Sequence, residues 1–156
     1  MKVEPIGVIH SPFSEVAGMP IQPVFAADVE GVVEVFPRYQ QGLKDIAGFE
    51  RIWLVYWFHR SGTPKLIVTP FRDEHERGLF ATRAPCRANP IGLSVVRLLE
   101  VAGNRLRIAG VDVLDGTTLL DIKPYVPEWD AFPESRTGWM QGATGRTLSD
   151  KRFAPG

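Results

Sequence analysis

The chain holds one cysteine, Cys86, among 156 residues, which excludes an internal disulfide framework and fits a reducing, cytoplasmic setting. No apolar run approaches the ~18 residues of a membrane-spanning helix. The N-terminal Met-Lys-Val-Glu-Pro-Ile-Gly is too short and too charged for a secretory leader. Glycine-rich phosphate loops are missing too. Neither G-x-G-x-x-G after a strand nor G-x-x-x-x-G-K-[ST] occurs, so neither common nucleotide fold is signalled. His10, His59 and His75 fall in no metal spacing, and one thiol cannot complete a zinc set, so no metal site is expected. Charge of one sign is not in excess either. Lys plus Arg and Asp plus Glu each number 18, unlike a protein that grips nucleic acid through phosphates alone.

What the chain does have is 44% hydrophobic residues, enough for a globular core and against disorder. Its length fits one domain that buries about two-thirds of its unfolded surface. The charge is unevenly spread. Residues 1–50 carry three basic and seven acidic side chains, a net of −4, and residues 51–100 carry eight and four, a net of +4. The positive half contains the stretch Phe80-Ala-Thr-Arg-Ala-Pro-Cys-Arg-Ala-Asn-Pro-Ile-Gly-Leu-Ser. Pro85 and Pro90 keep their neighbours out of the α region, so this stretch is a stiff loop. An apolar strand end at Leu79-Phe-Ala is expected before it, and an extended run from Ile91 after it. The loop therefore presents Arg83, Arg87 and Asn89 from a rigid support, a combination suited to anions and planar partners.

The rest of the chain reads as short strands between turn signals. Val3–His10, Gly31–Phe36, Arg51–His59, Ile91–Val101, Arg105–Leu114 and Thr117–Ile122 are expected strands. The Arg51–His59 run is apolar enough to suggest a central strand buried on both faces. Tyr39–Ile46 suggests a short helix, Gly103-Asn104 a hairpin, and Asp115-Gly116 a second two-residue hairpin. Residues 14–30 form a long loop punctuated by Gly18, Pro20 and Pro23. This pattern indicates an all-β fold, a single β-barrel domain over residues 1–127 with a short helix. Residues 128–156 read as an irregular tail whose Trp129, Phe132 and Trp139 pack on the barrel or on a partner subunit.

Three clusters have chemical potential. In Leu120-Asp-Ile-Lys-Pro-Tyr, Asp121 and Lys123 share one strand face, with Tyr125 beyond. They serve either as a surface ion pair of little energetic value or as groups that orient a substrate amine and hold its proton. Asp73-Glu-His-Glu reads as a solvated loop. Cys86 shows no base for nucleophilic work, and His59 reads as a satisfied histidine at a strand end.

The stretches Ile6-Gly-Val-Ile-His-Ser-Pro-Phe, Leu79 to Ser94 and Leu114-Asp-Gly to Lys123-Pro-Tyr resemble, in that order, the TsaA-like (TrmO) family. The resemblance covers about residues 3–127. It implies a β-barrel methyltransferase that uses S-adenosylmethionine and modifies N6 of threonylcarbamoyl-adenosine beside the anticodon of a threonine tRNA. It also implies a homodimer with the cofactor near the subunit interface. The residues it implies for the cofactor are His10, Ser11, Pro12, Gln22, Arg83, Arg87, Asn89, Ile91 and Leu120. Those it implies for catalysis are Asp121, Lys123 and Tyr125. The chain departs from the family pattern at Ile21, Ala88 and Thr118, where arginine, proline and proline are usual. A methyltransferase of this fold with another substrate, or a non-enzymatic barrel that binds S-adenosylmethionine or RNA, are the alternatives.

Overall fold

Alternation of valine with polar residues along Glu30–Val35 turns Val33 and Val35 into a dry interior, each almost fully buried. The same period-2 logic runs around the molecule. The computed structural model describes residues 2–155. Its strands are β1 (Gly7–His10), β2 (Glu30–Val35), β3 (Arg51–Trp57), β4 (Ile67–Val68), β5 (Arg77–Gly78), β6 (Ile91–Ala102), β7 (Arg105–Ala109) and β8 (Thr117–Pro124). Six of them close into an antiparallel barrel in the order β1-β2-β7-β6-β3-β8, and β4 and β5 pair separately. Closure leaves the barrel without an unpaired edge.

The barrel core is built from Ile9, Val33, Val35, Ile52, Leu54, Tyr56, Val96, Leu106, Ile108 and Leu119, joined by Val111 and Val113. Each large aliphatic group stabilises the fold by about 1.5–3 kcal/mol relative to exposure. Strand β3 lies centrally between β6 and β8, but it is not buried on both faces. Ile52, Leu54 and Tyr56 point inward, while Trp53, Val55 and Trp57 stand half-buried on the outside. A six-stranded barrel has only one dry side, so half of each strand must face out.

A register shift sits where Val55 pairs with Asp121 but Tyr56 pairs with Leu119, so Leu120 is the extra residue of a bulge. The bulge resets the alternation. Leu119 and Ile122 pack toward the core, and Asp121 and Lys123 point outward.

Three local expectations are corrected. Leu79–Ala81 is a 3-10 turn, not a strand end, closed by Thr82, whose amide and hydroxyl both donate to the Leu79 carbonyl. Tyr39–Ile46 splits into two 3-10 turns, Pro37–Leu43 and Ile46–Gly48, because Asp45 takes a left-handed φ of 68° between them. Asp115-Gly116 is a turn but not a hairpin, since β7 pairs with β2 and β6 while β8 pairs with β1 and β3. Gly110, at φ 92°, takes the chain out of β7, and residues 111–114 cross one end of the barrel instead. The hairpin at Gly103, with φ 61°, does join β6 to β7.

Beyond β8, one helical turn, α1 (Pro127–Asp130), leads into irregular chain. Trp129 and Phe132 are largely exposed. Later residues return to the body. Trp139 Nε1 donates to the Ala81 carbonyl at 2.8 Å, and Leu148 bridges to Pro20. Phe153 buries itself beside Phe71 in a small second core with Val68, Leu79, Ala84 and Cys86. No described helix is long and apolar enough to cross a membrane.

Candidate cofactor and active site

The loop between Pro85 and Pro90 is stiff for the reason its prolines suggest, and it is anchored as well. Ser61 Oγ donates to the Pro85 carbonyl at 2.7 Å, and the Arg87 amide donates to the same oxygen at 2.8 Å. Ala84 and Cys86 anchor the loop in the small second core, while Arg83, Pro85 and Arg87 stand less buried beside them. They face a cavity of about 730 Å³ over one end of the barrel. Its walls come from the 16–25 loop, residues 58–61, residues 70–72, the 82–87 loop and the tail from Trp139 to Phe153. Phe25, Phe58 and Phe71 make part of the wall aromatic.

Four arginines line this space: Arg60, Arg72, Arg83 and Arg87. Arg83 Nη1 donates to Gln22 Oε1 at 2.6 Å, which links the two loops that carry them. Arg87 Nη1 donates to the carbonyls of Thr82 and Ala84 at 3.1 and 3.3 Å, and its guanidinium lies 5.7 Å from the Phe80 ring centre. Arg72 donates to the Ala143 carbonyl at 2.7 Å, tying the tail to the wall.

The floor is polar and buried. Ser94 Oγ donates to Asp112 Oδ1 at 2.7 Å and shares a 2.9 Å hydrogen bond with the Tyr56 hydroxyl. Gly92 lies beside this group because a Cβ there would strike the Tyr56 ring. Burial pushes the Asp112 carboxyl up to about 6, against the opposing pull of the Ser94 hydrogen bond and of Arg83. Burial also raises the Tyr56 phenol, with Asp112 adding to the effect. His59, at the cavity wall, is held below its ordinary value by partial burial and by Arg60.

The sequence-derived residues fall into three places. Gln22, Arg83, Arg87 and Ile91 line the cavity together. His10 and Ser11 do not line it. His10 stands between Glu34 and Asp115 at 3.7 and 3.5 Å, and Ser11 Oγ donates to the Val113 carbonyl at 2.6 Å. They hold the 111–116 segment, with exposed Pro12 next in the chain. Asn89 is exposed outside the cavity, and Leu120 occupies the bulge.

Asp121, Lys123 and Tyr125 form a separate group on the outer face of β8. Lys123 Nζ lies 2.7 Å from Asp121 Oδ2, and this contact raises the lysine further. Tyr125 packs against Trp53 with ring centres 5.9 Å apart. Asp121 pairs across to Val55, which pairs in turn with Leu93 at the cavity rim. Trp53, the partner of Lys123 across the sheet, also lines the cavity, so the rim reaches β3 and lies one strand spacing, about 5 Å, from β8.

The family model described as the tRNA-methyltransferase O N-terminal domain matches residues 8–131. The chain belongs to this family. A probable S-adenosyl-L-methionine-binding protein of Pyrococcus abyssi is 58% identical over 137 residues, covering 88% of this chain and 74% of the relative. The tRNA (adenine(37)-N6)-methyltransferase of Escherichia coli is 34% identical over 156 residues, covering 94% of this chain and 66% of that enzyme. The crystal structure of TrmO from Pseudomonas aeruginosa superposes with a TM-score of 0.74 at 39% identity, over 89% of this chain and 62% of that one. The TrmO-type barrel is therefore the fold of this protein.

Within this TrmO-family chain, sequence reasoning passed over Arg60, Arg72, Ser94 and Asp112, which the structure brings to the cavity or its floor. His59, read as a satisfied histidine ending an apolar strand, lines the cavity instead, and Arg60 and Arg72 lay in loops that gave no separate signal. Asp112 stands between Val111 and Val113 in an apolar run, and Ser94 stands at an inward position of β6. A polar residue at an inward strand position was the one available signal for the floor.

Proposed function

We propose that this protein is an S-adenosylmethionine-dependent tRNA methyltransferase that acts on N6 of adenosine at position 37, in a cytoplasmic homodimer. Family membership supports the reaction class. The observation that carries the cofactor reading is the cavity. At about 730 Å³ it lies in the ~300–1,000 Å³ range of small-molecule sites, and aromatic walls with convergent arginines suit an adenosyl group bearing a carboxylate. The residues present fit that group. Bound there, it supplies an activated methyl on a sulfonium. Gln22, Arg83, Arg87 and Ile91 hold and orient it, and His10, Ser11 and Pro12 act at one remove by fixing the 111–116 segment.

The threonylcarbamoyl form of adenosine in threonine tRNA is the finer substrate assignment. A carbamoyl substituent acidifies the remaining N6–H, which makes a carboxylate an adequate base. Asp121 accepts that proton as the nitrogen gains its methyl group. Lys123, kept charged by its partner, and Tyr125 stabilise the negative charge that develops on the carbamoyl oxygen.

Asp121 faces outward from β8 and does not itself line the cavity, which supports the dimer. The outer face of β6, β3 and β8 presents exposed Ile91 and Leu93 beside half-buried Trp53, Val55, Trp57 and Val95. This apolar face runs from the cavity rim to the Asp121–Lys123 pair. A second copy laid on it brings its own Asp121, with Asn89 and Leu120, toward the first copy's cavity.

Mass spectrometry of nucleosides from threonine tRNA tests the reaction. A deletion strain should lose the N6-methylated nucleoside and accumulate its unmethylated parent, and complementation should restore it. An unchanged profile would sink the assignment.

A further inference from the structure

Asp112 is the single acidic residue lining the cavity among the described residues, set against four arginines. It is 8% exposed. One oxygen, Oδ1, is engaged by Ser94, which the Tyr56 hydroxyl holds in turn. No described side chain reaches salt-bridge distance of it, Arg83 included. A charge so buried and unpaired is costly unless a ligand supplies its partner.

The lining thus has the charge pattern of a zwitterion turned inside out, with guanidinium groups for an anion and one fixed carboxylate for a cation. We infer that Asp112 receives the α-ammonium of the amino-acid end of the adenosyl cofactor, while Arg83 faces the carboxylate of that same end. The inference rests on the cofactor reading above and deepens it. A sulfonium is a poorer partner because it donates no hydrogen bond, whereas an ammonium offers three donors to the free carboxylate oxygen. Ser94 and Tyr56 are positioning residues that set the rotamer of the carboxylate.

The charged and titratable groups facing Asp112 are Arg83 and the Tyr56 phenol. Neither changes charge between pH 5 and 7, since the arginine stays protonated and the phenol is raised. His59 also lines the cavity and titrates below its ordinary value. A proton gained at His59 would repel the ammonium-bearing ligand alone, so the pH series is repeated in His59→Gln, where that contribution is absent.

Calorimetric titration of the full chain with S-adenosylhomocysteine and with its des-amino analogue reads the assignment directly. The wild-type protein should favour the amine by about tenfold or more at pH 7, the scale of one charge-assisted hydrogen bond. Asp112→Asn should bring that ratio near one while leaving affinity for the des-amino analogue within about twofold. In the wild-type protein the ratio should fall about tenfold between pH 7 and 5, in step with the ionised fraction of the carboxyl.

An undiminished ratio in folded Asp112→Asn overturns the inference. If that variant does not fold, the wild-type pH series decides, and a ratio that stays constant overturns it. Binding of the homocysteine ligand with no preference for the amine overturns only the Asp112 assignment. Failure of the wild-type protein to bind either ligand overturns the cofactor reading as well.

Discussion

Replacing Asp112 by asparagine removes a charge that the fold keeps in a nearly dry place, and the change in stability follows from where its proton is held. The unfolded chain releases this proton near 3.8 and the folded chain near 6. Between those values the folded state binds more protons than the unfolded state, so stability falls as pH rises through the window. Above about pH 6 the cost is complete. Two units at 1.36 kcal/mol each give about 3 kcal/mol as an upper scale. Asparagine keeps an oxygen for Ser94 and turns its amide toward the cavity, so the hydrogen-bond chain to Tyr56 survives. The variant should therefore melt higher than the wild-type protein at pH 8, by about 5–10 °C for a domain of this size. The gap should close as pH falls toward 4, where the native carboxyl is neutral too. Differential scanning calorimetry across pH 4–8 measures both curves. Parallel curves, or a variant that melts lower at pH 8, would refute the claim that Asp112 is a charge stored at a cost in stability.

Asp121→Asn preserves shape and should lower kcat about 100-fold, the scale of acid–base catalysis, with cofactor affinity unchanged; near-wild-type turnover in a single-turnover assay would reduce the pair with Lys123 to a surface contact. Gly92→Ala forces the Tyr56 ring aside and should cost about 1–3 kcal/mol in urea unfolding, and a neutral result would mean that the ring relocates freely. Leu93→Asp puts a charge in the middle of the apolar outer face and should yield a monomer by light scattering with the melting temperature nearly intact. A dimer of undiminished stability would place the interface elsewhere.

Much of the barrel was legible because strands announce themselves through alternation. Glu30–Val35 and Arg105–Ala109 show inward apolar groups at every second residue, and the hairpin at Gly103-Asn104 carries its own turn chemistry. Pairing was less legible. Asp115-Gly116 has the composition of a hairpin turn, yet the partner of β8 is chosen by barrel closure, a long-range outcome that no local window contains. The same holds for the bulge at Leu120, which decides that Asp121 faces out and is set by the register against β3. At the cavity, Arg83 and Arg87 could be read from a loop that has to be stiff, whereas Arg60 and Arg72 could not. Ser94 and Asp112 could not, because they lie 18 positions apart and acquire meaning only where β6 meets the segment after β7.

Part of the cavity wall is made by residues that follow the barrel in the chain. Trp139, Met140, Ala143, Ser149 and Phe153 line the space, and Ser149 ties back through its hydroxyl to the carbonyls of Val16 and Met19. The barrel itself is complete at Pro124. A nascent chain therefore has its scaffold before it has a binding site, and a polypeptide arrested between these points is folded without a finished cavity. The full wall is assembled only when Phe153 lies against Phe71, so the far end of the chain and the barrel share one binding surface.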